Sequence, residues 1–253
     1  MRQHPTKEGI GISTIRKSYM LRFVGRCTVL AVCIWLCIAQ PLQLAVLQGW
    51  AFFQKPSLLH LLWLIWVGDM VLQLVPAKKK LSLGSKKLFR QYFRPSQLRI
   101  DLQALKCYIL STTRAAYRIL LLWAALIAAL GFCHFRGWLS DAALFMVSVL
   151  FYVCDLICVL FWCPFRLLLK NRCCTTCRIF NWDHVMMFTP MLFVKGFFSY
   201  SLLALSMVVW LAWELSVMLH PERFWWQSNE TLQCANCTDK LCTQYCHKLR
   251  PRQ

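Results

Sequence analysis

Acidic residues are what this chain most lacks. Ten Asp and Glu stand against 29 Lys and Arg in 253 residues, a formal net charge of +19. In a soluble protein that excess would point first to nucleic acid. Charge of either sign is scarce too, at 15% of residues, while 58% are hydrophobic, above the roughly 45–50% of soluble domains. Mean hydropathy is +0.49. The cations fall mostly between apolar runs, so the expected partners are the lipid bilayer and its anionic headgroups, and no nucleic acid is expected. Other absences narrow the chemistry. There is no Gly-rich phosphate loop, hydrolase elbow or His-Glu-x-x-His motif. No internal repeat of the kind many transporters carry is visible. No cleavable signal peptide is expected, because residues 1–26 are polar and basic and the next apolar run is too long for a signal core.

The apolar runs set the fold class. A bilayer core of about 30 Å takes about 20 apolar helical residues. Residues 27–53 form a first run, interrupted at Gln40-Pro41, and 58–75 a second that carries Asp69. Residues 115–134 and 142–165 follow, the latter closed by Cys163-Pro164. The last tract, 179–219, is split by Lys195-Gly196 into a good span, 197–219, and a short stretch, 179–194, with Pro190 inside. At 1.5 Å per residue the short stretch reaches about 24 Å, enough to cross a thinned bilayer. It also suits a re-entrant or interfacial segment.

With six crossings and both termini inside, 26 of the 29 Lys and Arg lie on the inner side, leaving Lys55, Arg136 and Lys195 outside. That fits the positive-inside rule. The expectation is an all-α, polytopic integral membrane protein of the cytoplasmic membrane, with about six transmembrane helices and both termini cytosolic. Its parts would be a basic N-terminus (1–26), a first transmembrane hairpin (27–76), a basic amphipathic loop (77–114) and a second hairpin (115–165). A Cys-rich turn (166–178), the short span with the final helix (179–219) and a Cys-rich tail (220–253) complete it. Within the loop, Lys86, Lys87, Arg90 and Arg94 lie opposite an apolar face, as in a helix lying in the headgroup plane.

Fifteen cysteines are many for this length. Those inside apolar runs, such as Cys33/Cys37 and Cys154/Cys158, read as small packing residues. Cys163, in "FWCPF", is set apart by its place at the inner interface. The rest form two clusters, "NRCCTTCRIFNWDH" (171–184) and "CANCTDKLCTQYCH" (234–247). Cys174/Cys177 and Cys234/Cys237 are two Cys-x-x-Cys pairs, with Cys173, Cys242 and Cys246 as alternates. Four such thiolates can close a tetrahedral shell around zinc or hold an iron–sulfur cluster, and six crossings would bring both pairs to one face. Redox-active thiols are the alternative. So, with the tail outside, are tail disulfides, with Asn229-Glu230-Thr231 and Asn236-Cys237-Thr238 as glycosylation sequons. His184 and His220 lie near the same face.

Asp69 and Asp155 fall within spans two and four. A carboxylate there needs neutralising or a partner, which suggests either a proton or cation path or a hydrogen bond to a neighbouring helix, through Gln40 or Gln43. Three functions remain open: a structural metal site on the cytosolic face, a membrane electron-transfer component, or a small transporter or channel using both aspartates. The stretches "CCTTCRIFNWDHVMMFTPMLF" and "HPERFWWQSNETLQCANCTDKLC" resemble an uncharacterised family of bacterial multi-pass membrane proteins, over about 163–242. The resemblance implies a bacterial cytoplasmic membrane and carries no activity or residue role. A homo-oligomer or another membrane protein is a further partner class. "FWCPF" with its neighbouring cysteines is faintly similar to membrane-bound iron–sulfur proteins, although the regular ferredoxin run of cysteines is absent.

Overall fold

A computed structural model describes residues 14–75, 84–96, 101–169, 171 and 173–237. Among these the chain is helical, apart from two isolated backbone bridges, Gly49 with Gly196 and Pro95 with Asn229. Helix α1 spans Thr14–Ala39. It therefore starts well inside the stretch read as a basic N-terminus, because Arg16, Lys17, Arg22 and Arg26 are adequate helix formers. It stops where Gln40 leaves the helical region ahead of Pro41 (φ −138°, ψ 59°), as a residue before proline tends to do. Residues 41–54 then coil into a 3-10 turn, Pro41–Leu47, and one helical turn, Ala51–Gln54, and do not prolong the first span.

Helix α2 is Leu59–Leu74, 16 residues. Helix α3, Leu102–Phe135, runs for 34 residues and is capped by Asp101, whose carboxylate accepts from the Gln103 and Ala104 amides. Helix α4, Asp141–Leu160, is capped by Ser140. Helix α5, Phe197–Leu219, ends ahead of His220-Pro221. Four of these, α1, α3, α4 and α5, are long and apolar enough to cross a membrane; α2 is a shorter apolar helix, about 24 Å long.

The 179–194 stretch is not one helix. It is a 3-10 turn (Phe180–Trp182), a six-residue α-helix (Asp183–Phe188) and a second 3-10 turn (Thr189–Phe193). Asn181 sits at φ −96°, ψ 20°, outside helical values, and Pro190 lacks an N–H to continue the ladder. The segment nonetheless climbs along α3. Trp182 stacks edge-on to Tyr117, Thr189 accepts from the Trp123 indole at 2.9 Å, and Phe193 lies against Gly131. From Tyr117 to Gly131 is about 21 Å of helix. Irregular backbone at such depth must be enclosed by protein, and Trp182, Met187, Phe188, Met191 and Val194 are buried.

Around this segment the helices alternate in direction. The α1–α4 pair is antiparallel, with Tyr19 against Leu160 and Arg26 against Asp155, while Gln48, just past α1, bonds Asp141 at the start of α4. Trp63 of α2 donates to Ser201 of α5. Trp66, fully buried, is ringed by Phe145, Tyr152, Phe188 and Phe198. The outward faces are apolar: Leu21, Ile38, Leu64, Leu121 and Leu215 are all more than half exposed. Such faces suit lipid and would be costly in water.

Two ends result. At the first, residues 84–96, the 161–182 turn and the 220–237 tail are stitched together. Lys87 donates to the Cys177 carbonyl, Arg223 to the Leu88 carbonyl, Ser96 N–H to Ser228 and Glu230 N–H to Arg94. At the far end the Gly49 N–H donates to the Lys195 carbonyl and the Phe197 N–H to the Gly49 carbonyl. A Cβ on Gly196 would stand 2.0 Å from the Leu47 carbonyl oxygen, a backbone atom that cannot step aside. Gly196→Ala is expected to lower unfolding stability in detergent by about 2–3 kcal/mol. Gly25→Ala, whose Cβ meets nothing within 4 Å, should be neutral or slightly stabilising. Equal losses from both would refute the close-approach account.

Candidate functional site

Two polar knots hold the functional side chains. The first lies inside the helix bundle, between α1, α2, α4 and the 180–193 segment. Arg26 of α1 donates to Asp155 Oδ2 at 2.6 Å and to the Tyr152 carbonyl at 2.6 Å, and its guanidinium lies 4.1 Å from the centre of the Tyr152 ring. Asp69 Oδ2 is 3.9 Å from Arg26 and 3.5 Å from His184 Nε2. His184 Nδ1 is 3.2 Å from Asp183, with the Gln73 amide also in reach at 3.3 Å. Both predicted carboxylates are therefore brought together, on an arginine. Gln40 and Gln43, the expected partners, bond each other instead, and Gln43 also accepts from Ser57. Asp69 and Asp155 each lie five residues from the end of their helix, on the first-end side of its midpoint.

The second knot sits at the first end. Arg178 donates to both Glu214 oxygens, at 2.7 and 2.5 Å, and the Trp182 indole adds a bond of 2.8 Å to the same carboxylate. Trp213 donates to the Arg178 carbonyl. Lys87 is fully buried, with its ammonium 2.7 Å from the Cys177 carbonyl and 4.9 Å from the Trp213 ring centre. This corrects the amphipathic-loop expectation: Ser85–Leu88 is a single helical turn followed by a 3-10 turn at Arg90–Tyr92. Only Arg90 and Arg94 of the four basic residues are seen exposed; the Lys86 side chain lies outside the description. Burial pushes the Lys87 ammonium down to about 8.

The thiols do not assemble as a metal shell would require. Among the described residues no three His, Cys, Asp or Glu side chains gather as a metal-holding group. Cys234 is exposed in a surface turn, Cys173 pairs with Thr175, and Cys174 accepts from the Arg166 guanidinium at 3.1 Å. Burial pushes the Cys177 thiol up to about 12, against the opposing pull of Lys87. Cys242 and Cys246 lie outside the described residues.

Cys174 and Cys177 turn instead into a cavity of about 260 Å³ beside α4, where Cys154, Cys158 and Cys163 also form its wall. Cys163 differs from its neighbours. Its thiolate is stabilised by a hydrogen bond from Cys158, then by the Phe165 and Arg166 amides and the Arg166 charge, which together outweigh burial and bring it to about 7. Sequence reasoning treated Cys154 and Cys158 as packing. Their one-turn spacing, followed by Cys163 just past the helix end, was the signal that they share a face.

Comparison with protein-family models, curated proteins and solved structures gives no match. The resemblance over 163–242 therefore gains no relative, and what stands is a helical chain with four candidate membrane spans.

Two predictions follow from the knots. Between pH 8 and 10.5 an unfolded Lys87 holds more protons than the folded one, so its contribution to stability rises with pH, by about 3 kcal/mol over the window. Cys177 acts oppositely above pH 9, where the folded thiol keeps its proton. The Lys87→Met variant should therefore lose the rise between pH 8 and 9 in thermal unfolding; an unchanged profile would place the lysine in water. Asp155→Asn should cost about 3–5 kcal/mol by leaving Arg26 short of a charge partner. The Arg26→Gln/Asp155→Asn pair should recover part of that loss, and strict additivity would show the two do not interact.

Proposed function

We propose that this chain is a six-segment membrane protein that carries out dithiol redox chemistry in the cavity at its first end. One observation carries the reading: five cysteines, from α4 and from the turn after it, line a single cavity, and all are free thiols. Two of them, Cys158 and Cys163, sit at the end of α4 and just past it on the same wall, and Cys163 is the one whose thiol is shifted down. A thiolate held near neutrality beside a second thiol is the arrangement thiol–disulfide exchange uses: one sulfur attacks, the other resolves.

The topology reading is supported by the alternation of the helices and by the climb of 180–193 along α3, which together make six traverses of the bundle. The start of α1, residues 84–96, the Cys-rich turn and the 220–237 tail then share one end, while the turns at the other end carry three cations, Lys55, Arg136 and Lys195. That end belongs in the cytosol by the positive-inside rule. The aspartates serve this architecture. Asp155 is engaged by Arg26 as an ion pair, which supports a structural role over that of a free carboxylate carrying ions.

The test is redox titration of the purified full-length protein in a glutathione buffer series, with trapping of the remaining thiols and peptide mapping. A Cys158–Cys163 disulfide should form first. The reading fails if Cys27, Cys107 and Cys133, none of which lines the cavity, oxidise while Cys158 and Cys163 stay alkylatable. A reporter fused after Gln253 should give a cytosolic signal; an external one would overturn the six-traverse topology.

A further inference from the structure

The cavity wall carries information on what the dithiol reacts with. Helices α3 and α4 touch where the Trp123 and Phe151 rings lie 4.9 Å apart. The cavity lies between α4 and the 174–187 segment, with Trp123, Cys163, Pro164 and Phe165 also on its wall and Asp155 and Asp183 as its two carboxylates. Its aromatic wall is Trp123, Phe151, Phe165 and Phe180, extended by Val159 and Ile179. The neighbouring outward side chains are also apolar: Leu122, Leu150, Phe161 and Trp162 are each about half exposed. A molecule dissolved in the bilayer meets no polar barrier on that side, whereas a charged, water-soluble disulfide would have to shed its hydration to enter. At about 260 Å³ the cavity is at the small end of ligand sites, roughly 300 Å³ upward. That is room for one substituted ring, with any tail left in lipid.

We propose that the cavity binds the head ring of a bilayer-soluble quinone, which accepts two electrons from the Cys158/Cys163 dithiol. The inference rests on the dithiol reading and adds the acceptor. Cys163 is the attacking sulfur. Its thiolate adds to a ring carbon and forms a C–S bond. Cys158 then gives up its proton and attacks the Cys163 sulfur. The S–S bond forms as the C–S bond breaks, and the electron pair stays with the ring. Each quinone oxygen takes one of the two protons the thiols release, leaving hydroquinone and an intramolecular disulfide. Cys158, in the last turn of α4, and Cys163, three residues past its end, line the same cavity, which puts the resolving sulfur on the wall that carries the attacking one.

The experiment uses the reduced, full-length protein in lipid nanodiscs, without oxygen, with decylubiquinone added in known amount. Quinone absorbance and free thiols are followed together. Expected are one quinone reduced per two thiols lost, a Cys158–Cys163 disulfide on mapping, and at least tenfold slower reaction for Cys158→Ser and for Cys163→Ser. Cys27→Ser, outside the cavity, should react as wild type. Val159→Phe, which narrows the cavity, should slow the quinone reaction, and a thermal unfolding midpoint matching wild type shows that the variant is folded. Oxidation by glutathione disulfide with no quinone reduction overturns the quinone proposal and keeps the dithiol reading. No Cys158–Cys163 disulfide with either oxidant overturns both. A stable one-to-one quinone adduct on Cys163 that Cys158 does not resolve overturns the electron transfer.

Discussion

The interior of this protein is organised around the guanidinium of Arg26. A permanent positive charge at membrane depth is costly unless it is paired and hydrogen-bonded. Asp155 and the Tyr152 carbonyl take its donors, the Tyr152 ring takes a face, and Asp69 stands near. Those partners sit on α2 and α4, so one side chain of α1 sets the azimuth of three helices at once. Three carboxylates, Asp69, Asp155 and Asp183, surround the one guanidinium, and the 180–193 segment places His184 between Asp69 and Asp183. That explains why a segment of broken helix occupies the bundle interior. A continuous apolar helix could have lain against lipid; one that must deliver His184 to Asp69, and Trp182 to Glu214, could not.

The first end repeats the principle. Arg178 and Glu214 pair through two bonds, and Lys87 enters from a separate loop to cap the Cys177 carbonyl. The carbonyls of Cys177 and Arg178 are thus both taken, by Lys87 and by Trp213. The Cys-rich turn is held by charge and by backbone hydrogen bonds, with its side chains left to face the cavity. A turn organised by a metal would have its thiols converging and its backbone amides turned to sulfur. Here a cation and an indole hold the backbone of the turn.

The helical class and most helix ends were legible because they follow from local physics. Apolar runs of about 20 residues, the Pro41 and Pro221 stops and the Lys195-Gly196 break are signals within a few residues of the feature they cause. Asp69 and Asp155 were legible as sites because a carboxylate in an apolar run is an anomaly whatever surrounds it. Their partner was not. Arg26 sits at the border of a basic stretch and an apolar one, where a flanking, snorkelling role is the ordinary reading, and only the early start of α1 at Thr14 carries it inside. Lys87 was misread for a related reason. Four cations within nine residues look like a solvated face, and a single buried lysine is visible only through the aromatic cage that distant Trp213 and Phe224 supply. The Cys-x-x-Cys pairs pointed toward metal because spacing is a local property, whereas convergence of two pairs depends on tertiary packing.

The sulfur cavity shows why counting cysteines says little about reactivity. Its wall holds five thiols, yet their environments differ far more than their chemistry. Cys177, buried under Lys87, is held near 12, while Cys163, with a thiol, two amides and a guanidinium turned to it, is near 7. The thiolate is the reacting form, so Cys163, shifted down, is the better nucleophile and Cys177, shifted up, the poorer one. The positive charge nearest Cys177 is an ammonium whose own proton is loosened by burial, so it supports a neighbouring anion weakly. The guanidinium of Arg166 keeps its charge at any physiological pH. The hydrogen bond from Cys158 and the two backbone amides, more than the neighbouring cation, separate Cys163 from Cys177; Cys174, bonded directly by Arg166, is still pushed up by burial.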